Sequence, residues 1–249
     1  MIDLTGRKVL ITGASTGIGA ATAILLAKAG ADVGINYCRS PAAARKVARK
    51  VEAAGRKAAI YECDVCDPDQ VKIMVDQFVR DFRRIDILFA NAGGLLKRCP
   101  IARMPDRLWH QVIALNLDSI FYTVRAALPH MAKRKRGNII VNASVAARTG
   151  GGGGAVHYAT AKGALVTFVR GLSNEVARQG IRVNAIAPGV TLTPFHDKAT
   201  APEQMEQFRQ ASPVGKLGTP DDIARAVAWL AAETNGYITG ETIYLTGGA

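Results

Sequence analysis

A short apolar strand that runs into a glycine loop and then into an alanine-rich helix constrains this chain more than any other feature. Residues 7–12 (Arg-Lys-Val-Leu-Ile-Thr) read as a buried strand. Gly13-Ala14-Ser15-Thr16-Gly17-Ile18-Gly19 follows at once, and residues 20–29 form a helical run that Gly30 stops. Glycines in this setting let the backbone turn tightly and approach a pyrophosphate, whose charge the helix N-terminus attracts. Gly13, Ser15, Thr16, Gly17, Ile18 and Gly19 are therefore candidates for holding a dinucleotide. Their spacing is Gly-x-x-x-Gly-x-Gly, not the commoner Gly-x-Gly-x-x-Gly, and a plain tight βα turn is the alternative for the loop alone.

Strand and helix patterns alternate along the rest of the chain. Strands are expected at 32–37, 57–63, 86–90, 138–143, 181–187 and 241–245. Helices are expected at 42–54, from near Pro68 to about Phe82, at 108–131, up to about Gln179, and from Pro220 to about Glu233. This rhythm predicts one α/β domain over residues 1–249, a Rossmann-like doubly wound parallel sheet of about seven strands with helices on both faces. The pattern weakens over 190–213, which reads as a substrate lid with a short helix. Five consecutive glycines, 150–154, mark a loop able to shape a site.

Charge and cysteines narrow the function. The formal net charge is +12, and Lys133-Arg134-Lys135-Arg136 is its densest run. No aromatic RNA motif or DNA-binding signature accompanies that run, so nucleic acid is not the expected partner. A helix end explains the run, since cations suit the negative end of the helix dipole. The excess charge helps to attract an anionic cofactor or substrate. There is no basic-apolar-small signal pattern at the start and no apolar run of membrane-spanning length, so a cytoplasmic protein with no membrane partner is expected. Cys63 and Cys66 form a lone Cys-x-x-Cys; with no second pair a metal site is not expected, and buried thiols at a strand end are.

Tyr158-Ala159-Thr160-Ala161-Lys162 carries the chemistry. Residues four apart on a helix share a face, so an ammonium comes near a phenol and is expected to lower its pKa, which suits a general acid/base. Ser144 closes the fifth strand, and Asn116 lies inside a helical run, where a kink or a packing hydrogen bond would account for it. The second strand ends Asn36-Tyr37-Cys38-Arg39-Ser40, without the acid that an NAD site places there. Arg39 and Ser40 are placed to hold a 2′-phosphate; the alternative is a solvated Arg39.

Taken together, Thr12-Gly13-x-x-x-Gly17-x-Gly19, Asn91-Ala92-Gly93, Asn116, Ser144, Tyr158-x-x-x-Lys162 and Pro188-Gly189 resemble the short-chain dehydrogenase/reductase family over nearly the whole chain. The nearest members are similar to 3-oxoacyl-carrier-protein reductases and to sugar or polyol dehydrogenases. The resemblance implies hydride transfer between NADP(H) and a carbonyl or secondary alcohol. Its alternatives are an NAD(H)-dependent sugar or polyol dehydrogenase and a non-catalytic nicotinamide-sensing binding protein. It implies that Tyr158 moves the proton, that Lys162 lowers the pKa of Tyr158 and holds the nicotinamide ribose, and that Ser144 bonds the substrate oxygen. Asn116 would hold a water linking Lys162 to solvent. Asn91, Ala92 and Gly93 would line the cofactor floor, and Asp64 and Val65 would flank the adenine. Pro188, Gly189 and Thr191 would face the nicotinamide, and Thr193 would touch its amide or the phosphates. A homotetramer acting on a small molecule is implied as well. Two positions depart from the pattern. Thr16 stands where many NADP-preferring relatives have arginine, and Asn174 precedes Glu175 where carrier-protein reductases have a basic residue, although Arg134 and Arg136 remain.

Overall fold

The computed structural model describes residues 2–195, 200 and 202–249. Its strands are β1 (Lys8–Ile11), β2 (Asp32–Tyr37), β3 (Ala58–Glu62), β4 (Ile87–Ala90), β5 (Gly137–Asn142), β6 (Ile181–Pro188) and β7 (Thr242–Leu245). They form one seven-stranded sheet in the order β3-β2-β1-β4-β5-β6-β7, and every pairing is parallel. The central strands are apolar runs because both faces are covered, and successive side chains serve opposite faces. Val9 and Ile11 of β1 and Ile87 and Phe89 of β4 meet α1 (Gly17–Lys28), α2 (Pro41–Ala53) and the helix Pro220–Ala231. Leu10 and Leu88 face the other way, onto α3 (Pro68–Phe82) and, further along, onto α5 (Ser119–Lys133) and α7 (Val156–Val176). The expected fold class is therefore the one observed, and no described helix is long and apolar enough to cross a membrane.

Chain order fixes where a ligand belongs. The sheet grows outward from β1 in one direction through β2 and β3, and in the other through β4 to β7. The connections part between β1 and β4, which opens a crevice at their carboxyl ends. The glycine loop after β1, Asn91-Ala92-Gly93 after β4, Ser144 after β5 and Gly189 after β6 all lie on this edge.

Two elements differ from expectation. The run 108–131 is α4 (Asp106–Ile113), a π-helical turn Ala114–Asp118, and then α5. The wide turn contains Asn116, a feature that periodicity over a long window smooths away. The glycine loop is also shorter than drawn, since α1 begins at Gly17 and its first turn contains Gly19. Within 190–213, the helix Pro202–Gln210 is the short helix expected there; residues 196–199 and 201 of that segment lie outside the described residues.

Two members of the basic run, Arg134 and Arg136, pair with neighbouring acids. Arg134 Nη1 reaches Asp86 Oδ1 at 2.8 Å and Arg84 Nε reaches Asp86 Oδ2 at 2.9 Å. Asp86 is buried, and its carboxylate also accepts from the Lys8 backbone N–H. Burial pushes the Asp86 pKa up, but the hydrogen bonds from Arg134 and Arg84 outweigh it and hold the group below the usual carboxylate range. Arg136 pairs with Glu233, which also meets Arg7 Nη2 at 2.6 Å. Asp86 thus ties the start of β4 to β1 and to the end of α5. Asp86→Ala is expected to lower the unfolding free energy by about 3 kcal/mol in urea, because it strands two arginines and a backbone N–H. A loss below about 0.5 kcal/mol would show that the arginines simply rehydrate.

Candidate active site

The phosphate end of the crevice is built by asparagines. Asn36, buried at the end of β2, accepts from the Gly13 N–H at 3.0 Å. Its amide nitrogen lies 3.1–3.3 Å from the carbonyls of Tyr37, Tyr61 and Cys63. One side chain therefore anchors the glycine loop to β2 and β3. Asn91 Nδ2 donates to the carbonyls of Thr12 at 2.8 Å and Gly13 at 3.2 Å, while the Thr12 hydroxyl accepts from the N–H groups of Asn91 and Ala92. The packing explains the glycines. Gly13 has φ +61°, and a Cβ on Gly19 would stand 2.5 Å from the Gly13 carbonyl oxygen and 2.8 Å from Asn91 Nδ2.

A dinucleotide fits this loop. Every helix N-terminus has amides to satisfy. Asp67 caps α3 by accepting from the Asp69 and Gln70 N–H groups, and Thr219 and Asp222 close a capping box on the helix Pro220–Ala231. Neither α1 nor α2 does this: Thr16 and Ser40 make no side-chain capping bond, and neither first turn holds an acid. Both ends, like the start of the helix Val156–Val176, have amides open to an anion, and the glycine loop lets one come close only at the first. Gly13, Ser15, Thr16, Gly17, Ile18 and Gly19 surround the first, and Arg39 and Ser40, both exposed, stand at the second. Asp64 and Val65 follow β3 beside them; the Asp64 carboxylate accepts from the Cys66 N–H at 3.0 Å. On the other wall, Gly189 donates to the Leu245 carbonyl at 2.9 Å, and a Cβ there would stand 3.0 Å from Thr246 Cα. The Pro188 carbonyl accepts from the Val145 N–H at 2.9 Å. Thr191 Oγ1 donates to the Gly189 carbonyl at 3.1 Å. A Cβ on Gly17 would touch Thr193 Cγ2 at 3.4 Å, so the strap that follows β6 leans onto the phosphate loop.

The chemical end lies one strand further along. Asn142 Nδ2 donates to Asn91 Oδ1 at 2.9 Å, and the Asn142 carbonyl accepts from Lys162 Nζ at 2.6 Å. Hydrogen bonds thus run from Gly13 through Asn91 and Asn142 to the lysine. A Cβ on Gly93 would stand 2.8 Å from Asn116 Oδ1 and 3.2 Å from Lys162 Nζ, so these two side chains converge over Gly93 and exclude any side chain there. Asn116 is fully buried; Oδ1 accepts from the Gly94 N–H at 3.0 Å, and Nδ2 donates to the carbonyls of Gly94 at 2.7 Å and Val112 at 2.9 Å. Ser144 lies close enough to Tyr158 to lower its pKa, the Tyr158 ring centroid is 5.8 Å from Lys162 Nζ, and Phe195 lies across that ring with centroids 5.8 Å apart. The structure therefore gathers Asn116, Ser144, Tyr158 and Lys162 in one place.

Burial dominates the electrostatics here, which corrects one expectation. Desolvation pushes Tyr158 above the ordinary phenol value, and Ser144 only partly opposes this. Desolvation also pulls Lys162 down to about 7. Desolvation disfavours both charged forms, so the phenol stays above its ordinary value although the lysine is near it, against the lowering that the helical spacing suggested. The Cys63 and Cys66 thiols are pushed up to about 12 by burial and are poor nucleophiles at neutral pH; all four cysteines are free.

Asn36 and Asn142 are functional positions that the sequence did not disclose. Asn36 was read only as the absence of an acid; its burial at a strand end becomes visible once β2 and β3 are paired. Asn36→Ala removes the bond that holds the Gly13 N–H and the amide contacts that anchor it to β2 and β3. It is expected to weaken dinucleotide binding by about tenfold or more, measured by calorimetry, with a fall in melting temperature. Unchanged affinity would show that the loop holds its shape without β2.

The comparisons with known proteins agree with this geometry. Residues 13–249 match the family model described as Enoyl-(Acyl carrier protein) reductase. The chain is 36% identical to the 3-oxoacyl-[acyl-carrier-protein] reductase FabG of Staphylococcus aureus over 97% of each chain. It is 33% identical to the L-rhamnose 1-dehydrogenase (NAD(P)(+)) of a Sphingomonas species, over 98% of this chain and 96% of that one. A short-chain dehydrogenase of Burkholderia cenocepacia, solved in complex with NADP, superposes with a TM-score of 0.91 at 31% identity, over 98% of both chains. With the ordered glycine loop and the gathered Asn116, Ser144, Tyr158 and Lys162, these matches establish that the chain is an oxidoreductase of the short-chain dehydrogenase/reductase family.

Proposed function

We propose that this enzyme reduces a small carbonyl compound with NADPH, or runs the reverse oxidation, with Tyr158 as the general acid/base. The observation that carries the reading is the contact of Tyr158 with Ser144 in a desolvated crevice that Lys162 shares. The bound nicotinamide supplies or accepts the hydride. The protein's own groups do the rest. With Ser144 and Tyr158 side by side, a carbonyl oxygen would accept from both hydroxyls, and its developing negative charge would be stabilised. Tyr158 then gives its proton to that oxygen. A phenol whose pKa is raised stays protonated at neutral pH, which suits the reductive direction. Lys162, held by the Asn142 carbonyl beside Asn116, would hold the nicotinamide ribose, and in its charged form it would stabilise the phenolate that proton transfer leaves behind. A water on Asn116 would pass the replacement proton.

NADP is the preferred cofactor on this reading. Arg39 and Ser40 stand at the open N-terminus of α2, with no acid in its first turn to repel a 2′-phosphate. Solved neighbours carry either cofactor, NADP in one and NADH or NAD in others, and the rhamnose dehydrogenase is named for both, so the preference rests on Arg39 and Ser40. Thr16, in place of an arginine, favours the second reading, an NAD(H)-dependent sugar or polyol dehydrogenase. Residues 190–213, of which Phe195 lies across Tyr158, would act as the substrate lid. Exposed Phe121 and Trp229 are apolar surface that a homotetramer would cover.

Three outcomes follow. Tyr158→Phe keeps cofactor affinity and loses at least about a hundredfold in kcat; near-normal turnover would remove the mechanism. Lys162 bears its charge below its pKa of about 7 and loses it as pH rises, while Tyr158 stays protonated throughout. The kcat/KM for carbonyl reduction should therefore fall above about pH 7; a profile flat to pH 9 would mean that the lysine charge is not needed. Arg39→Asp should lower the NADPH-to-NADH ratio of kcat/KM by about tenfold or more, and an unchanged ratio would transfer the preference to NAD.

A further inference from the structure

Beyond the catalytic set, two loops are fastened together beside it. Segment 94–99 follows β4, and the five-glycine run 150–154 joins α6 (Ala146–Thr149) to α7. At its near end Gly94 is gripped through both its N–H and its carbonyl by Asn116. Lys97 N–H then bonds the Leu95 carbonyl at 2.8 Å, closing a γ-turn around Leu96, which takes φ +61°. A leucine in the left-handed region is strained, and such a turn persists only where its surroundings hold it.

The holding groups come from the start of the catalytic helix. His157, fully buried and adjacent to Tyr158, places Nε2 3.0 Å from the Lys97 carbonyl. A carbonyl only accepts, so Nε2 donates. His157 Nδ1 is buried and has no hydrogen-bond partner. The imidazole's polar contact in the structure is therefore this one bond. Arg98 Nη1 reaches the carbonyls of Gly152 at 3.4 Å and Gly153 at 3.0 Å. Cys99 N–H donates to the Gly154 carbonyl at 2.8 Å. Gly154 has φ +73°, and a Cβ there would stand 2.9 Å from the Cys99 nitrogen, so the last glycine of the run is required for the two loops to meet.

We propose that His157 is a positioning residue. By clasping the Lys97 carbonyl it fixes segment 94–99 to the first turn of the helix that bears Tyr158, and the fastened loops form a rigid wall that orients the carbonyl substrate. This inference rests on the carbonyl-reductase reading above. The glycine run on this account is a mating surface and not a flap: its carbonyls are the acceptors that segment 94–99 needs. The wall binds substrate and not dinucleotide, because the phosphate loop and its asparagines share none of these bonds.

The test compares His157→Leu, which fills the space without a donor, with His157→Gln, whose side-chain N–H reaches as far as Nε2. Amide hydrogen exchange of segment 95–99 is measured on the protein alone, and KM, kcat and cofactor affinity are measured with whichever carbonyl compound the unaltered enzyme reduces. His157→Leu should speed exchange of the segment and raise KM about tenfold, with cofactor affinity and the pH profile of kcat retained. His157→Gln should restore both exchange and KM. Gly154→Ala, which breaks the clasp from the other loop, should raise KM in the same way as His157→Leu. Unchanged exchange in His157→Leu overturns the clasp. Equal losses in the leucine and glutamine variants make His157 a packing residue and overturn the proposal. Faster exchange with unchanged KM overturns the role of the wall in orienting substrate. If the unaltered chain reduces no carbonyl compound, the functional reading fails and the wall's role with it, while exchange still decides whether the clasp exists.

Discussion

The structure depends on how the carboxyl ends of the central strands are satisfied. A parallel sheet leaves backbone donors and acceptors unpaired where its strands stop, and each one that is buried there needs a partner. Here asparagines supply them. Asn36 ties β2 and β3 to the glycine loop, Asn91 ties β1 to β4, and Asn142 ties β4 to β5 while its own carbonyl holds Lys162. An amide side chain both donates and accepts, so each can bridge two strands without adding charge. Cofactor loop and catalytic lysine are therefore parts of one network, and the glycines are small because the asparagines pass over them.

That rigidity bears on the electrostatics. A buried lysine gives up part of its charge, and a tyrosine beside it resists ionising. The site is thus poised near neutrality instead of holding a preformed phenolate. On the proposed mechanism, proton donation to a substrate oxygen would be the easier direction from that starting point.

Much of this was legible in the sequence. All seven strands lie where alternating apolar runs placed them, because a sheet covered on both faces leaves little choice of residue. Gly13, Gly17 and Gly19 marked the dinucleotide loop, and the ordered set ending in Tyr158 and Lys162 marked the chemistry. The π turn around Asn116 was not legible, since one extra residue in a helical turn barely alters a periodic pattern. Asn36 and Asn142 escaped because their value lies in which strands become neighbours. The net effect of Lys162 on Tyr158 was misjudged because spacing along a helix reports proximity and says nothing of the water removed around both groups. The five glycines showed only flexibility until segment 94–99 was seen seated on their carbonyls.

The most direct test follows the hydride itself. The enzyme is incubated with NADPH deuterated at the transferable position of the nicotinamide, together with ketones, aldehydes, oxidised sugars and a β-ketoacyl thioester, and the products are read by mass spectrometry. The account predicts an alcohol carrying a single deuterium on the former carbonyl carbon, formed as reduced-nicotinamide absorbance is lost. Consumption of NADPH without deuterium in any alcohol, or no consumption with any member of the panel, would contradict it.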